Sequence, residues 1–221
     1  MNNNLIKRFL SSLIILPIAF LFILNGSLFF MFFLGILFLV TSYEWVRMNK
    51  KKKLYKILGI IFLILSFYSA FNLRIYAGLN FFLFVILISV FTDLGGYAFG
   101  KFFKGPKLTK ISPNKTYSGV IGSLIMPVFA GLLYIEYMQL PLGVIVPIKL
   151  DAISNNFNLV LNFMILSISI ISQLGDLVIS YFKRLSKIKD TGKILPGHGG
   201  LLDRVDGLIF VIPISYLFIL L

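Results

Sequence analysis

Cysteine is absent from this chain, histidine occurs once and charge is scarce, and each shortage removes a class of chemistry. Without a thiol there is no disulfide, no thiolate metal site and no cysteine nucleophile. A lone histidine with no cysteine is a poor basis for zinc. Charged residues make up 13% of the 221 positions, hydrophobic ones 58% and aromatic ones 16%, and the mean hydropathy is +0.96. Soluble domains carry about a quarter charged residues, so this composition belongs in a bilayer. Apolar stretches recur from end to end, and the loops between them are too short for a soluble domain. The expectation is a single all-α membrane domain over residues 1–221, a polytopic transmembrane helical bundle. The apolar runs are continuous rather than alternating, which argues against a β-barrel.

Runs able to cross about 30 Å of hydrocarbon predict seven helices, near residues 9–25, 28–46, 55–72, 79–99, 117–138, 157–182 and 205–221. The first run follows Lys7 and Arg8 but lacks a small-residue cleavage site, so it reads as a retained helix and not a signal peptide. Leu140 to Leu150, broken by Pro141 and Pro147, is too short to span and reads as interfacial or re-entrant. With a cytoplasmic amino terminus, 19 of the 21 Lys and Arg residues fall on the inner side, leaving Arg74 and Lys149 outside. This satisfies the positive-inside rule and accounts for the net charge of +13 without nucleic acid as a partner. The cluster from Asn49 to Lys56 would also attract anionic membrane lipid.

Acidic residues are fewer and less evenly spread. Of the eight, Asp93, Asp176, Asp190, Asp203 and Asp206 lie in or beside two cytoplasmic loops that also carry eleven basic residues. Carboxylates and cations gathered on one side suit phosphates bridged by a divalent metal, which carboxylate oxygens hold while Lys and Arg offset the remaining charge. On the sixth predicted helix, Ser169, Ser172, Gln173, Asp176, Ser180 and Lys183 recur at spacings of three and four, a polar stripe on an apolar helix. The serines alone suit interhelical hydrogen bonds. Asp176 does not, because an intramembrane carboxylate requires a cation or a proton.

Two further segments repeat the theme. At the end of the fourth span, Asp93 and Tyr97 lie one turn apart, Gly96 and Gly100 permit close helix packing, and five lysines follow. "GGYAFGK" imitates a phosphate-binding P-loop, but Phe102 replaces the metal-binding hydroxyl and the setting is a membrane helix. In "LPGHGGLLDRVDGLIF" (Leu195 to Phe210), three glycines precede a helix start near Leu201, and Asp203 and Asp206 share one face beside Arg204. Two such carboxylates share a metal or divide between ligand and structural roles. For His198, a neutral hydrogen-bonding role and a part in phosphate contact or proton transfer both stay open.

From Ser180 to Asp206 the sequence reads "SYFKRLSKIKDTGKILPGHGGLLDRVD", which resembles the signature of phosphatidate cytidylyltransferases, the CDP-diacylglycerol synthases. "ISPNKTYSG" (Ile111 to Gly119) is similar to the family's second region, with Ser118 where a Glu is expected. These motifs fall within residues 76–221, and the helices of 1–75 receive no role from them. The resemblance implies the conversion of CTP and phosphatidate to CDP-diacylglycerol and diphosphate, in phospholipid biosynthesis. It implies Mg²⁺ held by Asp176 and Asp203, with a second, monovalent cation left open. Lys183, Arg184, Lys189 and Arg204 would hold phosphates, Ser112, Asn114, Lys115 and Thr116 would line the nucleotide or lipid-phosphate pocket, and Asp93 would support it. Asp206 and Asp190 are ligands or orienters of basic groups, and Ser180 is a supporting residue. The expected setting is multi-pass in the cell membrane, the bacterial inner membrane, with the site on the cytoplasmic side; a homodimer is compatible with the sequence. The alternatives are another CTP-dependent membrane lipid kinase or transferase, or an anion transporter, although no pair of interrupted helices in two halves favours the latter.

Overall fold

The computed structural model describes residues 13, 17–50, 52–109, 111–138, 157–194, 197 and 199–220. Residues 17–25 form a first helix, α1. It is followed by α2 (Ser27–Met48), α3 (Lys53–Tyr76), α4 (Gly78–Phe103), α5 (Tyr117–Met138), α6 (Phe157–Leu185), the short α7 (Leu202–Val205) and α8 (Leu208–Leu220). No strand occurs among the described residues. Apolar runs of this length become helices in lipid because only a helix satisfies its own backbone polar groups there. Among the described residues five helices, α2 to α6, are long and apolar enough to cross a membrane, and the chain is a polytopic helical membrane protein. Pro127 inside α5 leaves the Ser123 carbonyl without its helical donor, and the Ser169 hydroxyl of α6 supplies one.

Predicted spans two to six coincide with α2 to α6. Of 9–25, only residues 13 and 17–25 are described, and the segment from Leu140 to Leu150 lies outside the described residues. The predicted helix from 205 is interrupted: α7 ends at Val205 and α8 begins at Leu208, with 13 residues. Those 13 residues rise about 20 Å. The interruption has a local cause, since the Asp206 carboxylate accepts a hydrogen bond from the N–H of Gly207 (3.1 Å), the next residue along. An amide engaged by a side chain in this way competes with the backbone ladder.

Two apolar clusters hold the bundle. One joins Phe30, Phe81, Phe84, Ile88, Ile165 and Ile168. The other gathers Trp45, Met48, Leu63, Ile179, Leu202 and Ile209 around the end where the polar residues collect. Outward, Phe29, Phe32, Leu39, Tyr68 and Phe163 are exposed, as lipid-facing side chains should be. Helices α4 and α5 make the most extensive contact, and it requires glycine: a Cβ on Gly95 would come within 2.3 Å of the Gly122 carbonyl oxygen. The close packing expected from the α4 glycines is therefore present, with Gly95 at its tightest point and Gly96 facing Gly119.

Candidate functional site

A cavity of about 330 Å³ opens where the ends of α4 and α6 meet the start of α5 and the α7 turn. Each element brings a polar group to it. Helix α4 contributes Thr92, Asp93 and Tyr97, α6 contributes Gln173 and Asp176, and the segment around α7 contributes Asp203 and Asp206. The α4–α5 connection adds Ser112, Asn114, Lys115 and Thr116. That connection is shaped by a short antiparallel bridge between Lys107 and Thr116, with the Leu108 N–H donating to the Lys115 carbonyl at 2.8 Å. Thr116 caps α5, its hydroxyl accepting from the Gly119 N–H at 3.1 Å. Ser118 donates to the Lys104 carbonyl and so closes the same turn.

The polar stripe on α6 turns inward along its whole length. Ser169 donates to the Ser123 carbonyl of α5, and Ser172 pairs with Ser89 of α4 at 2.9 Å. The serines thus do the interhelical bonding expected of them. Asp176 instead pairs with Lys115, Oδ2 to Nζ 2.5 Å, and lines the same cavity as the Asp206 carboxyl. Close passage of two backbones makes this meeting possible. A Cβ on Gly207 would sit 2.6 Å from the Ser172 hydroxyl, and one on Gly175 would sit 3.1 Å from the Asp206 carbonyl oxygen.

Asp203 has a different environment. Its Oδ1 accepts from Lys183 Nζ at 2.9 Å, and its Oδ2 accepts from the Thr191 N–H (2.8 Å) and the Gly200 N–H (3.1 Å); the Thr191 hydroxyl lies 3.0 Å from both this oxygen and Glu44 Oε2, and its one proton serves one of them at a time. Burial by itself would raise this carboxyl, but the Lys183 hydrogen bond and the two backbone donors outweigh it and hold it below the ordinary carboxylate value. Lys183 is buried at the end of α6, and Ser180 is buried one turn before it.

Other predicted residues stand elsewhere. The Arg184 guanidinium donates to the carbonyls of Ile111 (3.2 Å) and Ile188 (3.1 Å), joining the two loops. Arg204 is exposed and acts electrostatically on Asp93. Lys189 and Asp190 line a separate groove of about 810 Å³, together with Arg47, Lys50, Lys52, Lys187 and Lys193. His198 lies outside the described residues. Sequence reasoning passed over Glu44 and Thr191, which are buried behind Asp203 and bonded to each other at 3.0 Å. A lone acid within the apolar run of α2 was the signal for Glu44.

Among the described residues, no three acidic or histidine side chains converge into a ready-made metal cluster. The donors nevertheless fit a divalent cation of the magnesium type, which takes one or two carboxylates and fills its remaining positions with water and substrate phosphate oxygens. Asp176 and Asp206 offer such a pair, two carboxyls lining one cavity.

Known proteins resemble the chain in this region. Over 138 residues, 62% of this chain, it is 43% identical to the phosphatidate cytidylyltransferase of Brucella suis biovar 1 (strain 1330), covering 45% of that protein. The phosphatidate cytidylyltransferase of Staphylococcus haemolyticus (strain JCSC1435) is 43% identical over 140 residues, covering 62% of this chain and 48% of its own length. That of Staphylococcus aureus (strain COL) is 40% identical over 138 residues, with the same coverages of 62% and 48%. The chain spans about half the length of the curated relatives it matches. A sequence model of the cytidylyltransferase family matches residues 53–221, a stretch that includes every carboxylate lining the cavity. On that match, which takes in well over half of its residues, the chain belongs to the cytidylyltransferase family.

Proposed function

We propose that the chain transfers the cytidylyl group of CTP to phosphatidate, releasing diphosphate and forming CDP-diacylglycerol. A phosphate oxygen of the lipid attacks the α-phosphorus, and the bond from that phosphorus to the bridging oxygen of the leaving diphosphate breaks. The observation that carries this reading is the convergence of Asp176, Asp206 and Lys115 on one cavity at the polar end of a membrane bundle, with Asp176 paired to Lys115. The names of its relatives support it as well. Lysine-rich segments surround this end, which by the positive-inside rule faces the cytoplasm, where CTP is found, while the acyl chains stay in the bilayer.

Positioning and charge neutralisation dominate such transfers. Asp176 and Asp206 would hold Mg²⁺, which supplies neutralising charge to the triphosphate when bound. The resemblance pairs Asp176 with Asp203, but both Asp203 oxygens are already engaged, so Asp203 serves better to hold Lys183 and the loop carrying Thr191. Lys115 and Lys183 are the cations nearest these carboxylates, and they would meet phosphate oxygens. Asn114, Ser112 and Thr116 offer hydrogen bonds from the opposite wall.

The test is purified protein in liposomes with labelled CTP and phosphatidate. Labelled CDP-diacylglycerol should form only with a divalent cation, and Asp176→Asn should abolish it while the protein remains folded. Full turnover by Asp176→Asn would overturn the assignment of this carboxylate. Movement of a phosphate anion into the liposomes with no lipid product would overturn the reaction itself.

A further inference from the structure

Glu44 lies on α2, outside the stretch matched by the family, yet it reaches the site. Its side chain is among the most buried polar groups of the chain, at 1% exposure. A carboxylate so placed needs donors on both oxygens. Oε1 accepts from the Leu201 N–H at 3.0 Å, and Oε2 accepts from the Leu202 N–H at 2.8 Å. These amides sit at the start of α7, where no helical carbonyl is available to them. Oε2 also accepts from the Thr191 hydroxyl at 3.0 Å. The socket has no spare room: a Cβ on Gly192 would lie 2.3 Å from Glu44 Oε1, and one on Gly200 would lie 2.0 Å from the Thr191 hydroxyl.

We infer that Glu44 is a positioning residue of the catalytic site, holding Thr191 and the start of α7 so that Asp203 is aimed at Lys183. The connection is continuous: the Thr191 hydroxyl donates to Glu44, the Thr191 N–H donates to Asp203 Oδ2 at 2.8 Å, and Lys183 donates to Asp203 Oδ1 at 2.9 Å. Glu44 is buried and does not line the cavity. It fixes the two ends of the loop between Thr191 and Leu202, and Asp203 follows directly on that loop. The catalytic part of this inference rests on the cytidylyl-transfer reading above, whereas the anchoring of the loop does not.

Glu44→Gln tests it, because one face of the amide would set an N–H against an N–H donor. The expected result is a kcat lower by about tenfold with KM for both substrates within about twofold of wild type. Amide exchange at Leu201 and Leu202 should quicken while exchange in α4 and α5 does not change. Thr191→Val should cost a similar factor. Because the two residues act in series, the double variant should lose no more than the worse single one. An undiminished kcat in Glu44→Gln, or losses that multiply in the double variant, would overturn the inference. Should Glu44→Gln not fold, Thr191→Ser must retain more kcat than Thr191→Val, and equal values would count against it. If the wild-type protein makes no CDP-diacylglycerol, the reaction fails. The exchange measurement needs no substrate and still judges Glu44: unprotected Leu201 and Leu202 amides in the wild type would reject it.

Discussion

Asp203 and Asp206 lie three residues apart, and their neighbours give them different work. Asp203 receives one ammonium and two backbone N–H groups, whereas Asp206 faces Asp176 across the cavity and receives its neighbour's N–H. Substitution by asparagine should separate them. Asp206→Asn is expected to lower kcat by about a hundredfold or more with an unchanged unfolding midpoint, as loss of a metal-binding charge would. Asp203→Asn should lower stability by about 2 kcal/mol, since it removes hydrogen bonds to a charged acceptor and leaves Lys183 unpaired. Unfolding in mixed detergent micelles measures the second, and the liposome assay the first.

The depressed acidity of Asp203 adds a dependence on pH. Its folded value lies below the unfolded one, so its contribution is present above the ordinary carboxylate range and is lost as pH falls through the lowered value. Protection of the Thr191 and Gly200 amides from exchange should therefore persist at about pH 4, the ordinary carboxylate value, and disappear only in stronger acid. In Asp203→Asn that protection should be weak at every pH.

Among the elements, α6 was the most legible. Its polar residues keep the helical period, so one face was expected to turn inward, and Asp176 and Ser172 do so. The break between α7 and α8 was not legible, because it depends on a carboxylate folding back onto its neighbour's amide within a run whose hydropathy continues unbroken. Glu44 escaped notice for a related reason. Its partners are more than 140 positions away, and periodicity carries no information about contacts at that distance. The approach of α8 to α6 also depends on residues that show no pattern. Gly207→Ala should drive Cβ against Ser172 and push Asp206 away from Asp176. The expected cost is about 1–3 kcal/mol together with a fall in kcat, read by micelle unfolding and turnover, and Ser172→Gly should restore part of both.

For the whole molecule, the charge asymmetry legible in the sequence acquires a shape. The groove of about 810 Å³ lined by Arg47, Lys50, Lys52, Lys187, Lys189 and Lys193 lies beside the carboxylate cavity, with Thr191 on its wall and Asp203 behind. A basic surface of this kind concentrates polyanions from solution, and salt weakens it. Raising monovalent salt from about 10 to about 150 mM shortens the screening length from about 30 to about 8 Å. The apparent KM for CTP should then rise several-fold with little change in kcat. Lys50→Gln combined with Lys52→Gln should flatten that rise, and an unaltered salt profile in the double variant would discount the groove as the source.

Trp45, next to Glu44, donates its indole N–H to the Tyr55 carbonyl at 2.9 Å and sets its ring edge-on to Phe182 at 4.9 Å. The indole lies so near Gly59 that a Cβ there would come within 1.9 Å of it. Residue 53, where the family match starts, is consequently no seam along which the protein divides. Cut there, the remainder would keep every cavity carboxylate but forfeit the wedge that braces α3 against α6, and two amides of α7 would be orphaned. On the positioning role inferred for Glu44, α2 is scaffolding for the site, and a graft of the matched stretch onto another membrane protein would have to bring its own brace.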